Sequence, residues 1–251
     1  MFPKLHRRAS AAELMDDFTS GGEELREALR ELRRLNRLFA ASAPTLYGIK
    51  QLWRAAGKPK QLSITDVGAG SGDVNRRVLQ WATRQNIAMM ITLVDMTEEA
   101  CAEARQLYLN EPRVQVIRGN LFRLPDAGAD IVTGTQLLHH FSEEELPHAV
   151  TSMLRAARLG VVVNDIHRHW IAWTAVWLAT RVISLNRYIL NDGPLSVAKG
   201  FRSQDWKRLK QAMGIHQLMY SWRPLFRYAV VIGKPDSYLS GQADGADRIG
   251  V

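Results

Sequence analysis

The stretch "ITDVGAGSGD", residues 64–73, decides the fold. A short apolar run meets a turn with glycines at alternate positions, Gly68, Gly70 and Gly72. Such glycines let the backbone turn tightly and approach a ligand closely. In an open α/β sheet, ligands bind at the carboxyl ends of the strands, at the switch point beside the first strand. A dinucleotide fingerprint would read G-x-G-x-x-G, with a pyrophosphate on the helix N-terminus. Here the spacing is G-x-G-x-G and the next residue is Asp73. A carboxylate at the helix start repels a pyrophosphate and suits a positively charged ligand. Asp66, just before the turn, adds a second acid.

Downstream, strand and helix patterns alternate. "LSITDV" is a short apolar strand, and "GDVNRRVLQWATRQ" a helix with Val74, Val78, Leu79 and Trp81 for its inner face. "AMMITLVD" is a second buried strand; the helix after it starts at Thr97, a good N-cap with acids in the first turn. "VQVIRGN", "ADIVTGTQLL" and "LGVVVND" supply three more strands. Before the last of these, Ser142 and Glu145 form a capping-box signature. Alternation of this kind predicts βαβ units and a mostly parallel sheet, an α/β fold.

The flanks differ. Residues 1–60 read as a helical lid, with Leu25, Leu29, Leu32, Leu35 and Leu38 at three- and four-residue spacing and a second helix starting near Pro44. Residues 61–234 are the core. Residues 166–200 interrupt it as a helical insertion ending in a loop, "NDGPLSVAKG". "SQDWKRLKQAMG" is a helix closed by Gly214, and two strands surround Arg223-Pro224. Residues 235–251 are polar and glycine-rich and read as a disordered tail.

The composition of the 251 residues, 46% hydrophobic and 23% charged, is that of an ordinary globular chain. Cys101 is the only cysteine, so no internal disulfide forms; with no signal-peptide pattern, a cytoplasmic location is expected. The net charge of +8 raises nucleic acid as a partner. The basic residues are spread along the chain, however, and no nucleic-acid-binding motif accompanies them, so none is expected. The apolar run "WIAWTAVWLAT" ends at Arg181 after eleven residues, short of the roughly 20 that a membrane span requires. Stable membrane insertion is therefore not expected.

The second strand ends in Asp95, an acid placed to accept hydrogen bonds from both ribose hydroxyls of a nucleoside. Met96 can lie against an adenine face, and Asn120, after the third strand, can read its amino edge. Taken together, "LSITDVGAGSGD", "LVDMTEEACAEAR", "IRGNLFRLP", "ADIVTGTQLLHHF" and "LGVVVND" resemble, in order and spacing, the class I S-adenosylmethionine-dependent methyltransferases. The resemblance spans residues 60–235 and is strongest to small-molecule enzymes, such as quinone-pathway and polyketide-associated ones. It implies a Rossmann-like seven-stranded sheet, mostly parallel with an antiparallel last strand. It also implies S-adenosyl-L-methionine as cofactor and S-adenosyl-L-homocysteine as product. The loop of Asp66, Gly68, Ala69, Gly70 and Gly72 would wrap the methionine part. Asp95 would hold the ribose, Met96 and Leu121 would flank the adenine, Asn120 would bond its edge, and Gln136 would sit near the sulfonium.

Methyl transfer from a sulfonium is an in-line displacement, in which the protein supplies position and a suitable field. A protonated acceptor also needs a base, and histidine titrates in the useful range. His139 and His140 follow the fourth strand, and His167 and His169 follow the fifth. His139 is the first candidate base and His167 the second, with Asp165 available to orient His167. His140 reads as packing or a cofactor-side contact. No metal site is expected. Trp170, Trp173, Trp177 and Tyr188 suit an apolar acceptor, and Arg181 an anionic group on it.

The expected function is therefore methylation of an aromatic, polyketide-like or quinone-like small molecule, with transfer to oxygen slightly favoured over transfer to carbon. The alternative is a non-catalytic, cofactor-binding partner subunit of a biosynthetic complex. The oligomeric state stays open, a homodimer being one option.

Overall fold

The computed structural model describes residues 5–17 and 21–234; the tail expected at 235–251 lies outside them. Its strands are β1 (Gln61–Val67), β2 (Ala88–Asp95), β3 (Val114–Arg118), β4 (Ala129–Thr135), β5 (Ala157–Ile166), β6 (Leu218–Arg223) and β7 (Arg227–Gly233). They form one sheet in the order β3-β2-β1-β4-β5-β7-β6. The first five strands run parallel, and β7 runs antiparallel to both its neighbours. Strand order reverses at β1, which lies between β2 and β4. A crevice therefore opens at the carboxyl ends of β1 and β4.

The helices are α1 (Glu23–Leu38), α2 (Ser42–Ala55), α3 (Asn75–Arg84), α4 (Glu98–Leu107), α5 (Leu146–Ala156), α6 (Trp170–Ile183), α7 (Arg187–Lys199) and α8 (Ser203–Met213). Alternation along the strands divides the core between the two sheet faces. Ile64, Ile91, Ile131 and Val162 pack with Ile49, Leu52, Val78 and Leu79 of α2 and α3. Val132, Val161, Val163 and Val230 pack with Val150 and Met153 of α5 and Trp206 of α8.

Local signals account for many element ends. The Thr97 hydroxyl accepts the Ala100 N–H at the start of α4. Ser142 and Glu145 exchange backbone-to-side-chain hydrogen bonds just before α5. Gly214 closes α8 in the left-handed region, at φ 62°.

Two expectations need correction. In α1, Leu25, Leu29 and Leu35 are buried, but Leu32 is only half-buried and Leu38 is exposed. The buried stripe is completed instead by Ala28 and Asn36. The segment "NDGPLSVAK" is not a loop but the body of α7, with Pro194 inside it. The Asp192 carboxylate there accepts the Leu14 and Met15 N–H groups at 2.8 and 2.9 Å. At Gly193 an added Cβ would lie 2.7 Å from Thr180 Cγ2, so the glycine permits close packing of α6 on α7. These tertiary contacts offset the poor helix propensity of Gly-Pro. The result places α1, α6, α7 and a 3-10 turn at Leu14–Asp16 around the crevice.

Candidate active site

The glycine turn, the ends of β2, β4 and β5, and the flanking helices enclose one cavity of about 690 Å³. Gly68, Gly70 and Gly72 all have positive φ, 60°, 55° and 71°, a conformation that ordinary side chains resist. Asp66, Gly68, Ala69, Gly70, Asp95, Met96, Asn120, Leu121, Gln136, His139 and His140 all line the cavity. Gly72 does not; a Cβ there would lie 2.4 Å from Leu93 Cδ1, so it faces the core.

Acids dominate the glycine end. Asp66 is buried and accepts from Asn75 Nδ2 at 2.6 Å and Thr133 Oγ1 at 2.7 Å. Burial pushes its carboxyl up to about 6, against those two donors, with Asp73 and Asp95 adding to the rise. Burial also raises Asp73, which accepts from Asn36 Nδ2 at 3.2 Å. Crowded carboxylates of this kind create a negative field that favours a cation. Asp95 anchors the turn: Oδ2 accepts the Gly70 N–H at 2.8 Å, and Oδ1 accepts both Thr97 donors at 3.1 Å. Asn120 Oδ1 accepts the Phe122 N–H at 2.9 Å, which fixes the amide while leaving its Nδ2 donor and a second Oδ1 lone pair for a ligand.

His139 is 2% exposed and sits between two carboxylates. Its Nδ1 is 2.7 Å from Asp165 Oδ1, and its Nε2 is 3.4 Å from Glu13 Oε1. Burial disfavours its charged form, but the two acids outweigh burial and push the imidazolium up to about 9. Glu13 is itself lowered, by its contacts with His139, His140 and Lys199, and lies 3.5 Å from Lys199 Nζ. His140 contacts Asp16 through Nδ1 at 2.7 Å.

His167 is not in the cavity wall. Its Nδ1 accepts the Trp222 indole N–H at 3.2 Å, and burial, His169 and two arginines lower it to about 4. Asp165 serves His139 rather than His167. The insertion contributes Ala172, Ala175 and Val176 to the cavity, not its tryptophans. Trp170 and Trp177 are exposed, and Arg181 stacks over Trp177 at 4.1 Å. Tyr188 is buried against α1. The wall also includes Glu13, Asn36 and Arg227, which the motifs do not flag. Glu13, His139 and His140 bring three ligand-type atoms within 4.8 Å of one another. The Lys199 ammonium against Glu13 already supplies positive charge there.

A second concavity, of about 640 Å³, is lined by Thr65, Thr92, Val94 and Ile117. It shares Met96 and Asn120 with the first but includes no residue of the glycine turn.

Residues 64–160 match the family model described as "Methyltransferase domain". Over these residues the chain is similar to methyltransferase domains, and its seven-stranded sheet has the class I methyltransferase fold. Its fold is also that of solved structures with low sequence identity. Human N-acetylserotonin methyltransferase in complex with SAM superposes with a TM-score of 0.58 at 16% identity, over 89% of this chain and 62% of that one. A SAM-dependent methyltransferase from Aquifex aeolicus gives 0.57 at 15%, over 83% and 97%. The citrinin polyketide synthase CMeT domain gives 0.51 at 16% over 68% of this chain, which spans 46% of the length of that structure. A search of the curated proteins finds no match. No helix among the described residues is long and apolar enough to cross a membrane.

Proposed function

We propose that this chain methylates a small molecule with S-adenosylmethionine as methyl donor, and that the acceptor is aromatic, polyketide-like or quinone-like. One observation carries the reading. A single cavity joins an acid-rich glycine turn to the buried His139 and an apolar wall that includes Ile166, Val176 and Val197.

The residues present fit the donor. Its sulfonium and ammonium groups meet the field of Asp66, Asp73 and Asp95. Asp95 Oδ2, with one protein donor on it, keeps acceptor capacity for a ribose hydroxyl. Met96 and Leu121 would flank the nucleobase, Asn120 would bond its edge and Gln136 would sit near the sulfonium; all four line the cavity. S-adenosylmethionine supplies an electrophilic methyl group when bound. The chain supplies orientation and exclusion of water and, only where His139 is neutral, a place for the acceptor's proton; at pH 7 the acceptor must arrive already ionised.

His139 is the proton-handling residue of this proposal. Held by Asp165 and Glu13, it is imidazolium at pH 7. In that form it donates to an acceptor oxygen; above about pH 9 it becomes the neutral base that the pattern "LLHHF" led us to expect. An ionised phenol or enol at this point suits oxygen transfer first and carbon transfer second.

The test is calorimetric titration with S-adenosylhomocysteine, followed by methyl-transfer assays on phenols, quinols and β-dicarbonyl compounds. Micromolar binding and turnover on one acceptor class are expected. Folded protein that binds no S-adenosylhomocysteine would sink the proposal; binding without turnover on any panel member would favour the non-catalytic subunit.

A further inference from the structure

Among the described residues, Arg227 is the one arginine or lysine in the cavity wall, and the proposed reaction does not use its charge. It is 5% exposed, yet it lines the cavity. Its guanidinium has little to hold it. Nη2 reaches Gln136 Oε1 at 3.5 Å, and Nη1 is buried with no hydrogen-bond partner. Among the described residues it makes no ion pair within 4.0 Å; Asp165 and Asp73 act on it only from farther away. Burial accordingly lowers it to about 10. A buried arginine without a carboxylate partner is costly, and such charges are normally paired.

The backbone holds this arginine in place at some cost. Arg227 opens β7 immediately after a tight hairpin, opposite Ile166 at the carboxyl end of β5. The two hairpin residues before it, Leu225 and Phe226, both have positive φ, 61° and 55°, although neither is glycine or asparagine. Backbone strain of this kind tends to persist at ligand clamps. Both residues also line the cavity.

The guanidinium ends a chain of polar contacts that crosses the cavity wall. Asp73 accepts from Asn36, Asn36 Oδ1 accepts from Gln136 Nε2 at 3.0 Å, and Gln136 accepts from Arg227. The positive end of that chain lies beside the end of β5, in a cavity wall that also includes the apolar residues Ile166, Phe226 and Val197. A planar carboxylate would satisfy the orphaned Nη1 together with the weakly held Nη2, in the bidentate geometry that arginine favours.

We infer that Arg227 is an anion-binding residue of the cavity and takes a carboxylate, carried either by the acceptor or by the amino-acid end of the methyl donor. This rests on the methyltransferase reading, and its test separates the two. The probes are S-adenosylhomocysteine, 5′-methylthioadenosine (the same nucleoside without the amino-acid end), benzoate and its neutral isostere benzamide. Each is titrated calorimetrically into the full chain and into Arg227→Met and Arg227→Lys.

Methylthioadenosine should bind wild type and both variants alike. Failure to bind wild type would count against the methyltransferase reading, not against Arg227. At least one carboxylate probe should lose tenfold or more in Arg227→Met and regain part of it in Arg227→Lys. Loss confined to benzoate assigns the carboxylate to the acceptor; loss confined to S-adenosylhomocysteine assigns it to the donor. If Arg227→Met does not fold, wild type still decides. It should bind S-adenosylhomocysteine tenfold tighter than methylthioadenosine, or benzoate tenfold tighter than benzamide. Equal affinities within each pair, or carboxylate binding indifferent to residue 227, would overturn the inference.

Discussion

Glu13→Gln isolates the electrostatics on which the His139 proposal rests. Glu13 Oε1 stands 3.4 Å from His139 Nε2, and both side chains are almost wholly buried. Two unit charges at that distance attract by about 5 kcal/mol at an effective dielectric of 20 and about 1.2 kcal/mol in bulk water. The amide keeps the shape and removes the charge. It should therefore lower the His139 titration from about 9 by at least about one unit. A stability effect follows with a definite sign. His139 is raised in the folded protein, from 6.5 to about 9. Its contribution is complete below pH 6.5 and is lost as pH rises through 9, a loss of up to about 3 kcal/mol. Asp66 and His167 titrate below this window, at about 6 and about 4. The assay is urea unfolding at half-unit steps between pH 6 and 10, with ring NMR of the histidines for both proteins. Wild-type stability should fall across that range, and the Gln variant should show an earlier, shallower fall. A wild-type His139 that titrates below pH 7, or one that Glu13→Gln does not move, would refute the reasoning.

Other substitutions test other parts of the molecule. Asp95→Ala removes the acceptor for three donors on Gly70 and Thr97, so S-adenosylhomocysteine affinity should drop tenfold or more by calorimetry. Asp95→Asn, which keeps one acceptor oxygen, should lose less. Gly72→Ala brings a Cβ to 2.4 Å from Leu93 Cδ1 at a positive φ, and should cost about 1–3 kcal/mol in chemical denaturation. Trp206→Ala empties a fully buried site stacked on Phe201 at 4.1 Å, and should cost about 3–5 kcal/mol by the same measurement.

The fold was legible because each of its signals is local. Alternating apolar strands and amphipathic helices, the Thr97 cap and the Gly214 stop all act within a few residues, and the structure has each of them. The segment at 191–199 was misread for the opposite reason. "NDGPLSVAK" has the composition of a loop, and its helix is held by partners distant in sequence: the Leu14 and Met15 amides on Asp192, and Thr180 against Gly193. No windowed reading of propensity contains those partners.

The site divides along the same line. The residues expected to face a nucleoside lie at the ends of β2 and β3, which are adjacent, and in the turn after β1, so motif spacing alone locates them at the cavity. The surroundings of His139 draw on four separate segments: Glu13 ahead of the first helix, His139 after β4, Asp165 on β5 and Arg227 on the neighbouring β7. His139 read alone is a histidine of ordinary basicity. With a carboxylate on each ring nitrogen it is a cation at neutral pH, and the difference comes from residues that no pattern around "LLHHF" contains. His167 shows the converse. Its depressed titration gives it the electronic state of a base at neutral pH, but an indole N–H occupies its Nδ1 and the residue lies outside the cavity wall. A base must reach the proton before its pKa matters, and of the two candidate histidines it is His139 that lines the cavity.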